Sequence, residues 1–225
     1  MTDYKTKEEL FDAMKNPSQE ELENIAVNLI RNFCIIKKEN DSFGSRTVRY
    51  NIVELEIYFY NKENDDWPTY NRDCSAGQWF FHKSGVDIAF QTIRNGNELL
   101  QFGGVLIRGL ERVVDGKTEC YIGGAKRCMY ELFNSAVGFP EITASGECLE
   151  TAIYKSRRVN IEKEDELRFY RPVKISEWDI PRKTIFTKKI KDSYLVLKEE
   201  RTIKYADAPP VDEEGISSDR QIYPK

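Results

Sequence analysis

The run Tyr50-Asn51-Ile52-Val53-Glu54-Leu55-Glu56-Ile57-Tyr58-Phe59-Tyr60 constrains the fold more than any other part of the chain. Its period is two, so it reads as a β-strand whose alternate side chains share a face. Val53, Leu55, Ile57 and Phe59 form a wholly apolar face that must pack on a core. Ile52, Glu54, Glu56, Tyr58 and Tyr60 form the other face, which carries two carboxylates and two phenols and borders a polar cavity or solvent.

Helices flank this strand. Thr6 stands three residues before Glu9, the spacing of a capping box, and Asn16-Pro17 ends that helix. Ser18 and Glu21 open a second helix in the same way. Leu22, Ile25, Ala26, Leu29 and Ile30 then fall on one helical face. Phe33 to Ile36 reads as a first strand and residues 37–47 as a polar loop or hairpin. The stretch from Asn61 to Ala76 is a long irregular connection, a length that is often functional. Strands are predicted at Gln78–His82 and Val86–Thr92, with Lys83-Ser84-Gly85 turning between them. Val105–Leu110 reads as a short apolar strand interrupted by Arg108. Gly123-Gly124 precedes a helix over Ala125–Phe133, and Leu149–Tyr154 is a further strand. The fold class is α+β, a single mixed domain. Residues 1–19 read as an N-terminal helical extension and 20–175 as the domain proper. Residues 176–225 read as a basic segment (Arg182 to Lys191) followed by a loose tail.

Composition narrows the function classes. Of 225 residues, 40% are hydrophobic and 32% charged, with a net charge of −4, which describes a globular chain with a well-solvated surface. An acidic balance disfavours non-specific polyanion binding, which draws on Lys and Arg. No stretch approaches the roughly 20 apolar residues that cross a bilayer, so no membrane partner is expected. The polar opening Met1-Thr2-Asp3-Tyr4-Lys5 lacks a secretory apolar core, and a cytoplasmic location is expected. The five cysteines are odd in number and lack CxxC spacing, and His82 is the single histidine. Neither a disulfide framework nor a metal site is expected, and no cofactor is implied.

The chemistry concentrates on the polar face of the long strand. Glu54 and Glu56 are two residues apart, about 7 Å along the strand, and can share hydrogen bonding or general-base work. Arg108 sits inside an apolar strand where an unpaired charge is costly, and Glu54, Glu56 and Glu111 are its candidate partners. His82 reads as a core or hydrogen-bonded histidine.

The order of these segments resembles the monofunctional alkyladenine (3-methyladenine) DNA glycosylase family. Ile52-Val53-Glu54-Leu55-Glu56-Ile57-Tyr58 is similar to the family's Val-Glu-x-Glu-Ala-Tyr strand. Tyr70-Asn71-Arg72 is the nearest match to its His-x-Arg loop. Gly77-Gln78-Trp79-Phe80-Phe81 through Gly85-Val86-Asp87-Ile88-Ala89-Phe90 matches a strand pair. Val105-Leu106-Ile107-Arg108-Gly109-Leu110-Glu111 matches a Val-Leu-Leu/Ile-Arg-Ala/Gly-Leu-Glu strand. Arg157-Arg158-Val159-Asn160-Ile161 and Leu167-Arg168-Phe169-Tyr170 match the final segments. The resemblance spans roughly residues 20–175.

The resemblance implies a formyltransferase-C-terminal-like fold, with a curved, mainly antiparallel sheet and flanking helices, and hydrolysis of N-glycosidic bonds in DNA base-excision repair. It implies that Glu56 activates water, with Arg108 near the water and the sugar-phosphate. Tyr58, Tyr70 and Phe81 would hold an extruded base, with Glu54, His82 and Asn71 in supporting positions. The implied partner is damaged DNA or a smaller nucleoside-containing substrate. Three positions depart from the family: Tyr70 replaces its histidine, Ser84 its duplex-wedging tyrosine, and Gly123-Gly124 its Gly-Pro. The alternative reading is a non-catalytic base- or nucleotide-binding protein, or a scaffold, that retains the fold.

Overall fold

A computed structural model of the protein describes residues 2–41, 44–66, 68–146, 153–156, 158, 168–171 and 220–223. Helix α1 spans Lys7–Ala13 and helix α2 spans Gln19–Arg31. Thr6 and Glu9 form the expected reciprocal capping box on α1. The Ser18 hydroxyl accepts the Glu21 N–H at 3.2 Å at the start of α2. Strands follow at β1 (Phe33–Asp41), β2 (Gly44–Asn61), β3 (Trp79–His82), β4 (Gly85–Ala89) and β5 (Ile93–Asn95). The long β6 (Glu98–Val114) and β7 (Lys117–Gly123) lead to helix α3 (Ala125–Phe133). Short strands β8 (Glu141–Ala144), β9 (Ile153–Ser156), β10 (Phe169–Arg171) and β11 (Arg220–Tyr223) complete the described elements.

The strands form one sheet in the order β11-β9-β10-β2-β6-β4-β3, with β1 and β8 continuing from β2 and with β5 and β7 on β6. Every pairing between these strands is antiparallel. The chain is thus a mixed α+β protein dominated by an antiparallel sheet. Helices α2 and α3 pack on the sheet, α2 on β1 and β2 and α3 on β4, β6 and β7. One hydrophobic core joins Leu22, Ile25 and Leu29 of α2 to Ile57, Ile88, Val105 and Ile107 of the sheet. Tyr4, Leu10 and Met14, from the segment expected as an N-terminal helical extension, are buried in the same core. Residues 182–191, the basic segment, lie outside the described residues.

Polar residues extend β1 and β2 beyond the predicted bounds. Residues 37–41 and 44–47, expected as a polar loop or hairpin, belong to the β1–β2 hairpin, and residues 37–41 are strand because their charges are matched across the sheet. Glu39 meets Lys37, Arg46 and Arg112 at 3.1, 2.8 and 2.7 Å. Arg112 also pairs with Glu119 and Glu131 and donates to the Tyr50 hydroxyl. Burying this much charge is tolerable only because each group has a partner.

The face assignment along β2 changes at a bulge. Ile52 pairs with Leu110 and Glu54 with Gly109, which leaves Val53 as an extra residue; Leu55 then pairs with Ile107, which leaves Arg108 as the extra residue on β6. Tyr50 and Ile52 therefore share the core face with Leu55, Ile57 and Phe59, and Val53 stands outside that core cluster. Strict alternation had placed Val53 in the core and Ile52 on the polar face. A bulge inserts one residue and reverses the parity beyond it.

Candidate active site

The sheet face turned away from the core carries the candidate chemistry. Glu56, Leu106 and Asp87 are direct cross-strand partners on β2, β6 and β4, and Phe80 of β3 is the next partner of Asp87. Partners in an antiparallel ladder point to the same side, so Glu56, Asp87 and Phe80 line one row. Tyr58, Gly104 and Ala89 form the adjacent row.

Glu56 is buried, its side chain 1% exposed. Its Oε2 accepts a hydrogen bond from the Tyr58 hydroxyl at 2.9 Å. Its Oε1 lies 3.7 Å from Arg108 Nε. The bulge brings Arg108 to this carboxylate, because a residue left out of the ladder is re-aimed. Burial chiefly, and then the Glu56 charge, push the Tyr58 phenol far above its ordinary value. Tyr58 therefore stays a protonated donor. Glu54 is also fully buried, lying over Gly109, where an added Cβ would meet the Glu54 Cβ at 2.9 Å.

Tyr58 is held in turn by Arg158 and the charges around it. The Arg158 guanidinium lies over its ring at 4.5 Å and donates to the Ile57 carbonyl at 3.0 Å. Asp66, from the irregular connection after β2, accepts from Arg158 at 2.8 and 3.0 Å. It also pairs with Arg168 at 3.0 Å. Burial alone would raise the Asp66 carboxyl, but the bonds and charges of Arg158 and Arg168 hold it below its ordinary value. Asp66 further accepts the Phe59 N–H at 2.9 Å, tying the connection back to the strand.

On the β3–β4 side, Asp87 is the organising carboxylate. It accepts from Arg72 Nη1 at 2.7 Å and contacts His82 Nε2 at 2.9 Å. His82 Nδ1 accepts the Ser84 N–H at 3.3 Å, so Nε2 is the ring nitrogen that faces Asp87. The Arg72 guanidinium stacks on Phe80 at 4.0 Å and covers Gly104, where an added Cβ would meet Arg72 Nη1 at 2.6 Å. Tyr70 packs on His82 with ring centroids 4.8 Å apart, and its hydroxyl stands 3.5 Å from the Ser84 hydroxyl.

The fold therefore gathers Glu56, Arg108 and Tyr58, with Glu54 buried over Gly109, and it sets His82 on β3 and Tyr70 on the connection that leads to β3. Two expected residues lie elsewhere. Phe81 pairs with core-facing Val86 on the opposite face of the sheet, packs against Phe133 at 4.6 Å and is 47% exposed. Phe80 occupies the Glu56 face instead. Asn71 is exposed to solvent while its neighbour Arg72 is buried. Among the described residues, no three His, Cys, Asp or Glu side chains gather as a metal ion would need. Four of the cysteines, Cys34, Cys74, Cys120 and Cys128, are buried free thiols. No helix among the described residues is long and apolar enough to cross a membrane.

The chain matches no family model, no curated protein and no solved structure.

Three residues that organise the site were not singled out from sequence. Asp87 carried a usable signal, since it alternates with Val86 and Ile88 and so must leave the core face. Asp66 and Arg158 are 92 positions apart, and no local pattern couples them.

Proposed function

We propose that the chain hydrolyses N-glycosidic bonds, with Glu56 as the group that activates water. The observation that carries this reading is the asymmetric setting of the Glu56 carboxylate: one oxygen accepts from Tyr58 and the other faces Arg108. A buried carboxylate so held has fixed orientation, which general-base work requires. Water gives one proton to Glu56 as its oxygen bonds to the sugar carbon. The carbon–nitrogen bond breaks and its electron pair leaves with the base. A cationic alkylated purine departs neutral, and the proton on Glu56 passes to solvent. Arg108 offsets negative charge beside the reacting sugar.

Arg158 occupies one face of the Tyr58 ring, so the base is proposed to stack on the other. Ser84 sits at the β3–β4 turn where a wedge would enter a duplex. An apolar wedge normally offsets the cost of unstacking, which favours single-stranded DNA or a free nucleoside over duplex DNA as substrate. The near-complete burial of Glu56 favours the second reading, a non-catalytic base-binding or scaffold protein, because water must reach a general base. The test is release of 3-methyladenine, 7-methylguanine or hypoxanthine from single-stranded DNA, duplex DNA and nucleosides. Wild type should be active, and Glu56→Gln should fall by about 10²–10⁴-fold. Activity in neither protein removes the hydrolase reading. Equal activity in both removes Glu56 as the base.

A further inference from the structure

A cavity lies on the core-facing side of the sheet, at the far end of β2 from the bulge. It measures about 660 Å³ and is bounded by the α1–α2 turn, the end of β2, β5 and the start of β6. That volume lies in the range of small-molecule sites. Pro17, Ile93 and Leu100 supply apolar walls.

Two carboxamides on its wall are direct cross-strand partners, Asn61 of β2 and Gln101 of β6. Each is oriented by the protein. Gln101 is 3% exposed, and its Nε2 donates to the Lys15 carbonyl at 2.8 Å and the Gln91 carbonyl at 3.0 Å. Both hydrogens of that nitrogen are thereby used, and Oε1, which no donor among the described residues meets, is the acceptor left for a ligand. Asn61 has the opposite polarity. Its Oδ1 accepts the N–H groups of Glu63 and Asn64 at 3.1 and 2.8 Å, so Nδ2 is the donor left over. Directly opposed residues of an antiparallel pair have Cβ atoms about 5 Å apart. The wall thus presents one acceptor and one donor side by side, each locked against a flip.

We propose that this cavity binds a planar heterocycle through an edge with adjacent donor and acceptor, the pattern of a nucleobase. In adenine an exocyclic N–H would meet Gln101 Oε1 and a ring nitrogen would accept from Asn61 Nδ2. In hypoxanthine the ring N–H and the carbonyl would take those places. Carboxamide pairing with such edges is a common mode of base recognition. The apolar walls would contact the ring faces. The cavity lies across the sheet from Glu56, and the inference is independent of the reading given to that residue.

The test is titration calorimetry of the full chain with adenosine, inosine and purine riboside, and with a short oligodeoxyadenylate. Adenosine or inosine should bind saturably, and purine riboside, which lacks the donor, about tenfold more weakly. If only the oligonucleotide binds, the same edge is read within a strand rather than in a free nucleoside. Asn61→Asp keeps the oxygen that Glu63 and Asn64 use and replaces the donor with an acceptor, so it should weaken binding about tenfold or more. Leu100→Trp should fill the cavity and abolish binding. Circular dichroism confirms that each variant is folded. Absence of saturable binding by both nucleosides and the oligonucleotide would overturn the proposal. So would binding that Asn61→Asp and Leu100→Trp both leave intact.

Discussion

Tyr58 donates its phenolic hydrogen to Glu56 Oε2 at 2.9 Å from two positions along the same face of β2. The contact depends on the pleat, because residues i and i+2 of a strand share a side. It orients the Glu56 carboxyl group. A hydrogen bond to a charged group contributes about 1.5–3 kcal/mol, enough to decide which way a buried carboxylate points.

Tyr58→Phe removes that bond and keeps the ring. Under the proposed hydrolysis, turnover of a methylated nucleoside should fall by about 10–100-fold, with a smaller change in KM, because the loss would lie in orienting Glu56 rather than in holding substrate. Steady-state kinetics check this. A change confined to KM would assign Tyr58 to binding alone.

The two adjacent phenylalanines of β3 should separate cleanly. Phe80 stacks under Arg72 on the Glu56 face, whereas Phe81 packs on Phe133 across the sheet. Phe80→Ala should reduce excision and Phe81→Ala should leave it near the wild-type level. Parallel assays at matched protein stability decide it, and a larger loss from Phe81→Ala would contradict the face assignment.

Asp66→Asn should cost stability more than most surface changes. It leaves Arg158 and Arg168 facing a neutral amide in a buried setting, and breaking one side of a buried ion pair costs about 3–5 kcal/mol. Urea unfolding measures the loss. The variant should also lower activity, since Arg158 then loses the anchor that holds it against Tyr58.

Acid should dismantle the Glu39 network at a defined pH. Burial works to raise this carboxyl, but the hydrogen bonds from Arg112 and Lys37 bring it from 4.5 down to about 2. The folded value lies below the unfolded one, so the contribution is complete above about pH 4.5 and is lost as the pH falls toward about 2. Unfolding midpoints measured across that range should decline in wild type. Glu39→Gln should start lower at pH 7 and decline less steeply over the same interval.

Much of the frame is readable from local pattern. Thr6 and Glu9, Ser18 and Glu21, and the apolar stripe of α2 each predict what their own neighbours do. The helix over Ala125–Phe133 and the strand character of residues 50–60 follow from the same kind of signal. The polar character of Glu54, Glu56 and Tyr58 is equally legible, because a period of two is a property of the chain alone.

The bulge is not legible in this way. Val53 and Arg108 become extra residues only when β2 is laid against β6, and the register of that pair rests on contacts far apart in sequence. The same holds for Phe81, which the resemblance implied at the base pocket: alternation puts Phe80 and Phe81 on opposite sides without saying which side meets Glu56. The sequence by itself determined which residues alternate, which helices are capped and which carboxylates are held near one another. Tertiary structure alone decided that Arg108 reaches Glu56, that Asp66 anchors Arg158, and that Asn61 stands opposite Gln101. Those relations depend on strand register and on a connection folding back over the sheet, and both are set by packing energy summed over the whole core rather than by any one segment.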